Sequence, residues 1–327
     1  MAERTGLGAT EIASILGVSP FGSKLSVYCR VLDIGEKPEQ NEAMKWGLKL
    51  EQAIADEFMA LHPDLLAFSP CPKGPDEPMR HRPSDLLPEL REPIPILIGT
   101  PDRILCRHTA DPENWVADLE LKTAHYRSAR YWGPTGTDEI PEYYVTQVLW
   151  QEMLTGLPTA YVAALIGGSD FRQYTIPFDP ELGGMMLEAA KRFWQDHIIP
   201  RIPPLEVGSA DGQALARVFP KHKDEDLAPS TPEIDALAHD LDEATGIIDE
   251  AEEVAEDRRN KLKAIIGEHA GIKGEWGKCT WKARKDGEKT DWEALAKALG
   301  ATKKQIAAHT RTVPGARVFL ANFKEEE

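Results

Sequence analysis

The sequence predicts an α/β protein: a mixed sheet flanked by helices, then a long C-terminal helix and a small α+β module. Three observations predict it. Residues 94–98, 115–123 and 159–166 are apolar runs of strand length bounded by turn formers. Residues 43–61 and 141–155 instead place apolar residues every three or four positions, the helical period. From Ile234 onward the spacing alternates strictly between three and four, a heptad pattern.

Composition narrows the class. The 327 residues suffice for one large domain and a smaller one, and 42% hydrophobic content is ordinary for a globular protein. No apolar run reaches membrane-span length, and Met1-Ala2-Glu3-Arg4 is not the start of a secretory leader, so a cytoplasmic protein without membrane contact is expected. Cys29, Cys71, Cys106 and Cys279 form no CxxC pair and lie too far apart for zinc-finger or iron–sulfur spacing, which reads as reduced thiols. A net charge of −16 argues against a generic nucleic-acid coat but not against a nuclease, whose metal site is acidic and whose groove is only locally basic.

In chain order, residues 10–17 read as a short helix with Thr10 as N-cap and Gly17 as stop. Pro20-Phe21-Gly22 is a turn, Ser23 caps a second helix over 24–33, and 37–41 is a polar loop. A third helix over 43–61 presents Trp46, Leu50, Ile54, Phe58 and Leu61 as a buried stripe, with Glu51 at its border. Residues 62–93, rich in proline and turn formers, make a hairpin or an irregular excursion. Residues 94–100, 103–107 and 115–123 are strands, with a turn at 108–114.

These strands carry the chemistry. Asp102 ends the first in Gly99-Thr100-Pro101-Asp102. Glu120 and Lys122 alternate with Leu119 and Leu121 in the third, so the charged pair shares one face and the leucines enter a core. Two carboxylates brought together hold a hard divalent cation such as Mg²⁺. A lysine beside it orients or deprotonates water, or neutralises charge on a phosphate. Read alone, Glu51 is a solvated helix acid; beside this motif it is a third carboxylate for the same site.

Residues 125–138 interleave Tyr126, Arg127, Arg130, Tyr131 and Trp132, which reads equally as a nucleic-acid-contacting loop or as an ordinary amphipathic one. Glu139-Ile140-Pro141 opens a helix to about residue 155, with Tyr144, Val148 and Gln151 on one line, Val145 and Leu149 on another, and Gln147 as an internal polar residue. Strands 159–166 and 171–178 flank the hairpin turn Gly167-Gly168-Ser169-Asp170, and Asp179 caps a helix over 180–197. The expected organisation is a core over 1–204, a linker over 205–232, an acidic heptad helix over 233–270 and a terminal module over 271–327. Ile234, Leu237, Leu241, Ala244, Ile248, Ala251, Ala255, Leu262 and Ile265 occupy a and d, with Arg258 at one d position. Its alanines make a weak coiled coil, which favours packing within the chain over pairing with a second one. The module is expected to hold strands over 279–283 and 316–323 with a helix over 292–299.

With these residues in place the chain resembles the YqaJ-like viral recombinase family, exonucleases related to phage lambda exonuclease within the PD-(D/E)xK nuclease superfamily. The resemblance covers roughly residues 4–200. It rests on Gly8-Ala9-Thr10-Glu11-Ile12-Ala13, Trp46-Gly47-Leu48-Lys49-Leu50-Glu51, Thr100-Pro101-Asp102, Leu119-Glu120-Leu121-Lys122 and Tyr143-Tyr144-Val145-Thr146-Gln147-Val148. A PDx(n)ExK match is weak by itself; five ordered segments on suitable elements are much stronger.

The resemblance implies a restriction-endonuclease-like core and a Mg²⁺-dependent 5′-to-3′ exonuclease, with Mn²⁺ as the alternative metal. Its substrate would be linear double-stranded DNA ends, its product 5′-phosphorylated nucleotides, and the 3′ single strand left behind would serve phage-type recombination. Asp102 and Glu120 match metal ligands, the Leu121 carbonyl a backbone ligand, and Glu51 the helix acid that aids the metal or its water. Lys122 matches the catalytic lysine and Gln147 the active-site glutamine. Thr10 stands where the family usually has serine, keeping the hydroxyl, and Arg4 lies close to the place of an arginine that holds the 5′-phosphate. Family analogy adds a ring-like homo-oligomer and a single-strand annealing partner. Three alternatives stay open: a structure-specific or restriction-type endonuclease on the same fold, a non-catalytic DNA-binding scaffold, and an adaptor whose acidic helix recruits a partner.

Overall fold

A computed structural model describes residues 5–35, 41–71, 77–222, 227, 229–283 and 291–309. The chain divides into two units, Met1–Pro220 and Lys221–Glu327.

Along the first unit run β1 (Leu66–Phe68), β2 (Met79–Arg80), β3 (Ile98–Gly99), β4 (Arg103–Cys106), β5 (Trp115–Ala124), β6 (Thr159–Ile166) and β7 (Asp170–Pro177). β1, β4, β5, β6 and β7 form one mixed sheet in that order, while β2 pairs with β3. The β4–β5 and β6–β7 pairs are antiparallel and β5–β6 is parallel. A tight turn suffices for β6–β7: Gly167 and Gly168 both take positive φ, 62° and 79°, which side chains other than glycine resist. The parallel β5–β6 pair needs a long crossover instead.

Helix α4 (Glu142–Thr155) lies in that crossover. The other helices of the unit are α1 (Ala9–Ile15), α2 (Lys24–Val31), α3 (Glu42–Leu61), α5 (Pro180–Phe193) and α6 (Gly212–Val218). α3 covers one face of the sheet, where Ile54, Ala55 and Phe58 meet Leu105, Leu119, Leu121 and Ala163. α4 covers the other: Val148 meets Val162, Ala164 and Tyr174. The far side of α4 buries Leu149, Trp150, Met153 and Leu154 against α1, α2 and α5. Sandwiched in this way, α4 is buried at every position from Thr146 to Thr155, and its two apolar lines serve two different cores. Gly156, at φ 76°, ends it as a left-handed cap.

Several expectations change on folding. Gly8, not Thr10, caps α1: its N–H donates to Glu11 Oε2 at 2.6 Å, and Thr10 lies exposed in the first turn. Only Ile54, Ala55 and Phe58 of α3 are buried. Trp46 and Leu61 are exposed, and Lys49 lies over the Trp46 ring at 4.7 Å. Within the stretch expected as linker, α6 packs Leu215 and Val218 into the core shared with α2, and Ser23 Oγ donates to Asp211 Oδ1.

The second unit contains α7 (Pro232–Ile266), capped by Thr231, whose hydroxyl accepts from the Ile234 N–H. A hairpin of β8 (Gly271–Gly274) and β9 (Gly277–Thr280) follows, then α8 (Trp292–Ala298) and α9 (Lys303–Ala308). β9 lies earlier than the strand expected over 279–283, and β8, too rich in glycine to read as a strand, pairs with it. The strand expected over 316–323 lies outside the described residues. Among the described residues no helix is long and apolar enough to cross a membrane.

Trp150 ties the layers together: its ring is wholly buried and Nε1 donates to the Ile98 carbonyl at 3.1 Å, fixing the strand that leads to Asp102. Trp150→Ala is expected to lower the unfolding free energy by about 3–5 kcal/mol in urea titration. A loss under about 1 kcal/mol would contradict the packing described.

Candidate active site

The site forms where the charged face of β5 meets α4. Alternation on β5 turns Asp118, Glu120 and Lys122 to one side, away from the Leu119 and Leu121 core. On α4, Gln147, Gln151 and Thr155 recur every four residues and so share the facing stripe. The two stripes interlock. Lys122 Nζ donates to Gln147 Oε1 at 3.1 Å and to Glu120 Oε1. Gln147 Nε2 also donates to Glu120 Oε1, and Gln151 Nε2 donates to Glu120 Oε2 at 2.7 Å. One step down the strand, Thr155 Oγ1 donates to Asp118 Oδ2 at 2.8 Å. Both oxygens of Glu120, a residue only 1% exposed, are thereby fixed. Tyr144 lies beside them, with Lys122 Nζ 4.8 Å from its ring centre.

Asp102 approaches from the strand end next to β5. Its Oδ2 accepts from the Leu121 N–H at 2.8 Å, so the motif's first acid is hydrogen-bonded to the backbone between Glu120 and Lys122. Arg103 donates to the Asp102 carbonyl at 2.7 Å and to Gln52 Oε1 of α3 at 3.1 Å, joining the helix to the strand.

The charges of the site act on one another. Burial, then the Glu120 charge, push Asp102 up to about 8, against the pull of Lys122 and the Leu121 N–H. Burial also raises Glu51; Arg103 opposes the rise, and Glu120 adds to it. Burial pulls the Lys122 ammonium down, but Glu120 and Asp102 outweigh it and its pKa rises. Behind these groups burial raises Asp118 to about 7, and burial with the nearby Asp118 raises Glu152 to about 9. Neither Glu152 oxygen has a hydrogen-bond partner among the described residues.

Glu51, Asp102 and Glu120 carry oxygen donors of the kind that hard divalent cations take. Burial and mutual repulsion raise Asp102 and Glu51, and a cation relieves both. Among the described residues no three His, Cys, Asp or Glu side chains already stand at metal-ligand spacing. The Lys122 ammonium rests on Glu120 instead, a positive charge of the protein's own. The donor chemistry therefore fits a divalent cation.

Of the residues expected from sequence, Asp102, Glu120, Leu121, Lys122 and Gln147 are joined by hydrogen bonds, and Glu51 feels the charges of Glu120 and Lys122. Thr10 sits on α1, which packs on α4, and shares no hydrogen bond with this cluster. Arg4 lies outside the described residues. Gln151 and Thr155 were not foreseen, although their spacing of four from Gln147 was the available signal. In the 125–138 segment, Trp132 belongs to the core, its ring tilted against Tyr144 and Tyr174 with centroids 5.5 Å from each. Tyr126 and Tyr131 are exposed, with the Arg127 and Arg130 guanidinium groups over their rings at 5.7 and 4.8 Å.

Comparison with known proteins adds sequence relatives. Residues 2–158 match the model of the YqaJ-like viral recombinase domain. The chain is 26% identical over 220 residues to the uncharacterized protein YqaJ of Bacillus subtilis strain 168, a match spanning 66% of this chain and 61% of the relative's length. Among solved structures it is similar to the alkaline exonuclease LHK-Exo of Laribacter hongkongensis, at 13% identity and a TM-score of 0.42 over 60% of this chain and 89% of that one. A phage-related exonuclease from Haemophilus somnus 129PT aligns at 12% identity and a TM-score of 0.37, over 60% of this chain and 96% of that one.

The raised pKa of Glu152 makes a pH test. The folded chain holds this proton more tightly than the unfolded chain does. The contribution to stability is therefore full below the ordinary carboxylate range near pH 4 and is lost as pH rises through about 9. The urea midpoint of the metal-free protein is expected to fall between pH 5 and pH 9, and Glu152→Gln to flatten that fall. An identical pH slope in the variant would contradict the assignment.

Proposed function

We propose, from the YqaJ-like viral recombinase domain carried by residues 2–158 and the acid–lysine cluster inside it, that this protein is a metal-dependent exonuclease acting on linear double-stranded DNA. The observation that carries the reading is the Glu120 carboxylate. It is held at both oxygens by Lys122, Gln147 and Gln151, with Asp102 bonded to the next backbone amide. A buried acid bound by three polar side chains is costly to build for packing alone. It suits a site that must aim a ligand oxygen.

Asp102, Glu120 and the Leu121 carbonyl would hold Mg²⁺, or Mn²⁺, with Glu51 on its water shell. When bound, the cation supplies Lewis-acid charge at the scissile phosphate and makes water a better nucleophile. The chain's own groups do the rest. Gln147 and Gln151 fix the plane of Glu120, so that its oxygens need not reorganise during the reaction. Lys122, once displaced from Glu120, carries its charge to the attacked phosphate and orients the water for in-line attack. Gln147, bonded to both Glu120 and Lys122, steers that exchange. Arg103 holds the Asp102 backbone against α3.

The finer reading is 5′-to-3′ polarity, release of 5′-phosphorylated nucleotides, and a 3′ single strand for an annealing protein. Arg4 and Thr10 would hold the 5′-phosphate in this scheme.

The test is time-resolved digestion of a linear duplex labelled at either end, with 5′-phosphate or 5′-hydroxyl termini, alongside a covalently closed circle. With Mg²⁺ the linear duplex is expected to shorten from phosphorylated 5′ ends while the circle stays intact, and EDTA to stop the reaction. Lys122→Ala and Asp102→Ala are each expected to slow digestion by roughly 100-fold or more while far-UV circular dichroism stays unchanged. Full activity in either variant, or cleavage of the closed circle, would overturn the reading.

A further inference from the structure

The long helix of the second unit carries an interaction surface that the nuclease reading does not use. The a positions of α7 are Ile234, Leu241, Ile248, Ala255 and Leu262, and the d positions are Leu237, Ala244, Ala251, Arg258 and Ile265. Of its large seam residues, Ile234, Leu237, Leu241, Ile248 and Ile265 are exposed, Leu237 by 70% and Ile265 by 69%, and Leu262 is half-buried. Charge is divided along the helix. From Glu233 to Glu253 it has acids and no lysine or arginine, whereas Arg258, Arg259, Lys261 and Lys263 all lie in its last three turns.

We infer that α7 pairs with α7 of a second copy of this chain as an antiparallel two-stranded coiled coil, its register set by Asp240 opposite Lys261 of the second copy. Centred on the helix midpoint, this arrangement places each a residue against a d residue of the second copy. Ile234 meets Ile265, Leu237 meets Leu262, Ala244 meets Ala255 and Ile248 meets Ala251. Only Leu241 faces a charged residue, Arg258, whose long aliphatic stem lies over it. Apart from Ile248, the small residues lie at the centre of the seam and the large ones toward its two ends.

The flanking g positions agree. An antiparallel pair sets g against g, which places Asp240 opposite Lys261 and Ile247 opposite Val254. A parallel pair would stack Arg258 on Arg258 and set Asp240 against Thr245 and Ile247 against Glu252, rewarding none of them. Within one chain, among the described residues, Lys261 pairs with Asp257 at 2.9 Å on an exposed surface, a contact weak enough to exchange.

The experiment is sedimentation equilibrium of the full chain and three variants. The unaltered chain is expected to associate as concentration rises. Asp240→Lys alone and Lys261→Asp alone each place like charges at two symmetry-related contacts and are expected to weaken association about tenfold. The double variant D240K/K261D restores opposite charges and is expected to return within about threefold of the starting affinity. A chain that stays monomeric at every concentration, its stripe covered from within, overturns the proposal. So does an assembly indifferent to the single reversals, or a double variant as weak as the two reversals combined. None of these readouts depends on nuclease activity.

Discussion

The first unit is arranged around one constraint: a carboxylate inside a sheet has to be surrounded by donors. Leaving Glu120 buried and unpaired would cost several kcal/mol. Three donors from two elements answer it: Lys122 from the same strand, Gln147 and Gln151 from α4. To present two amides on one stripe, α4 must lie flat along β5. Lying there, it is enclosed by the sheet on one side and needs α1, α2 and α5 on the other. The helical layer is thus a consequence of where the charge is placed.

Under the proposed reading, the same burial suits the cluster to a cation. Asp102 sits where losing a proton is unfavourable, because burial, Glu120 and Glu51 all oppose a second negative charge. A divalent cation reverses that balance, so binding it should release protons from the site. In the proposed mechanism Lys122 is the charge that yields. Its place on Glu120 satisfies the buried acid, and in the proposed mechanism its release toward a phosphate would couple occupation of the site to readiness for chemistry. Burial also raises the Asp118 and Glu152 carboxyls nearby, which disfavours further negative charge in the interior.

How much of this the sequence revealed depended on the period involved. The two-residue period of a strand is unambiguous once leucines mark the core side, so the shared face of Glu120 and Lys122 was legible from Leu119-Glu120-Leu121-Lys122. Helical faces were harder. α4 is apolar on two sides, so the line through Gln151 looked like core, and only the facing strand reveals it as the polar seam. Aromatic residues misled in both directions. Trp46, placed in a buried stripe, is exposed, and Trp132, placed in a basic loop, is packed between tyrosines. Hydrophobicity gives a residue's preference, not which neighbour arrives to satisfy it. The cap of α1 lies earlier than expected: Gly8 is the N-cap residue, and the Glu11 carboxylate reaches back to accept from its amide. The heptad pattern of α7 was plain, whereas the order of its seam emerges only when the helix is paired end over end.

The central claim is that Glu51, Asp102 and Glu120 form a cation site masked by Lys122. Mn²⁺ binding followed by electron paramagnetic resonance tests it without reference to DNA. Titrating the protein with Mn²⁺ is predicted to remove the free-ion signal with saturable binding that Mg²⁺ competes away, and Asp102→Asn is predicted to abolish it. Unchanged Mn²⁺ binding in Asp102→Asn, or no binding to the unaltered chain, would contradict the account.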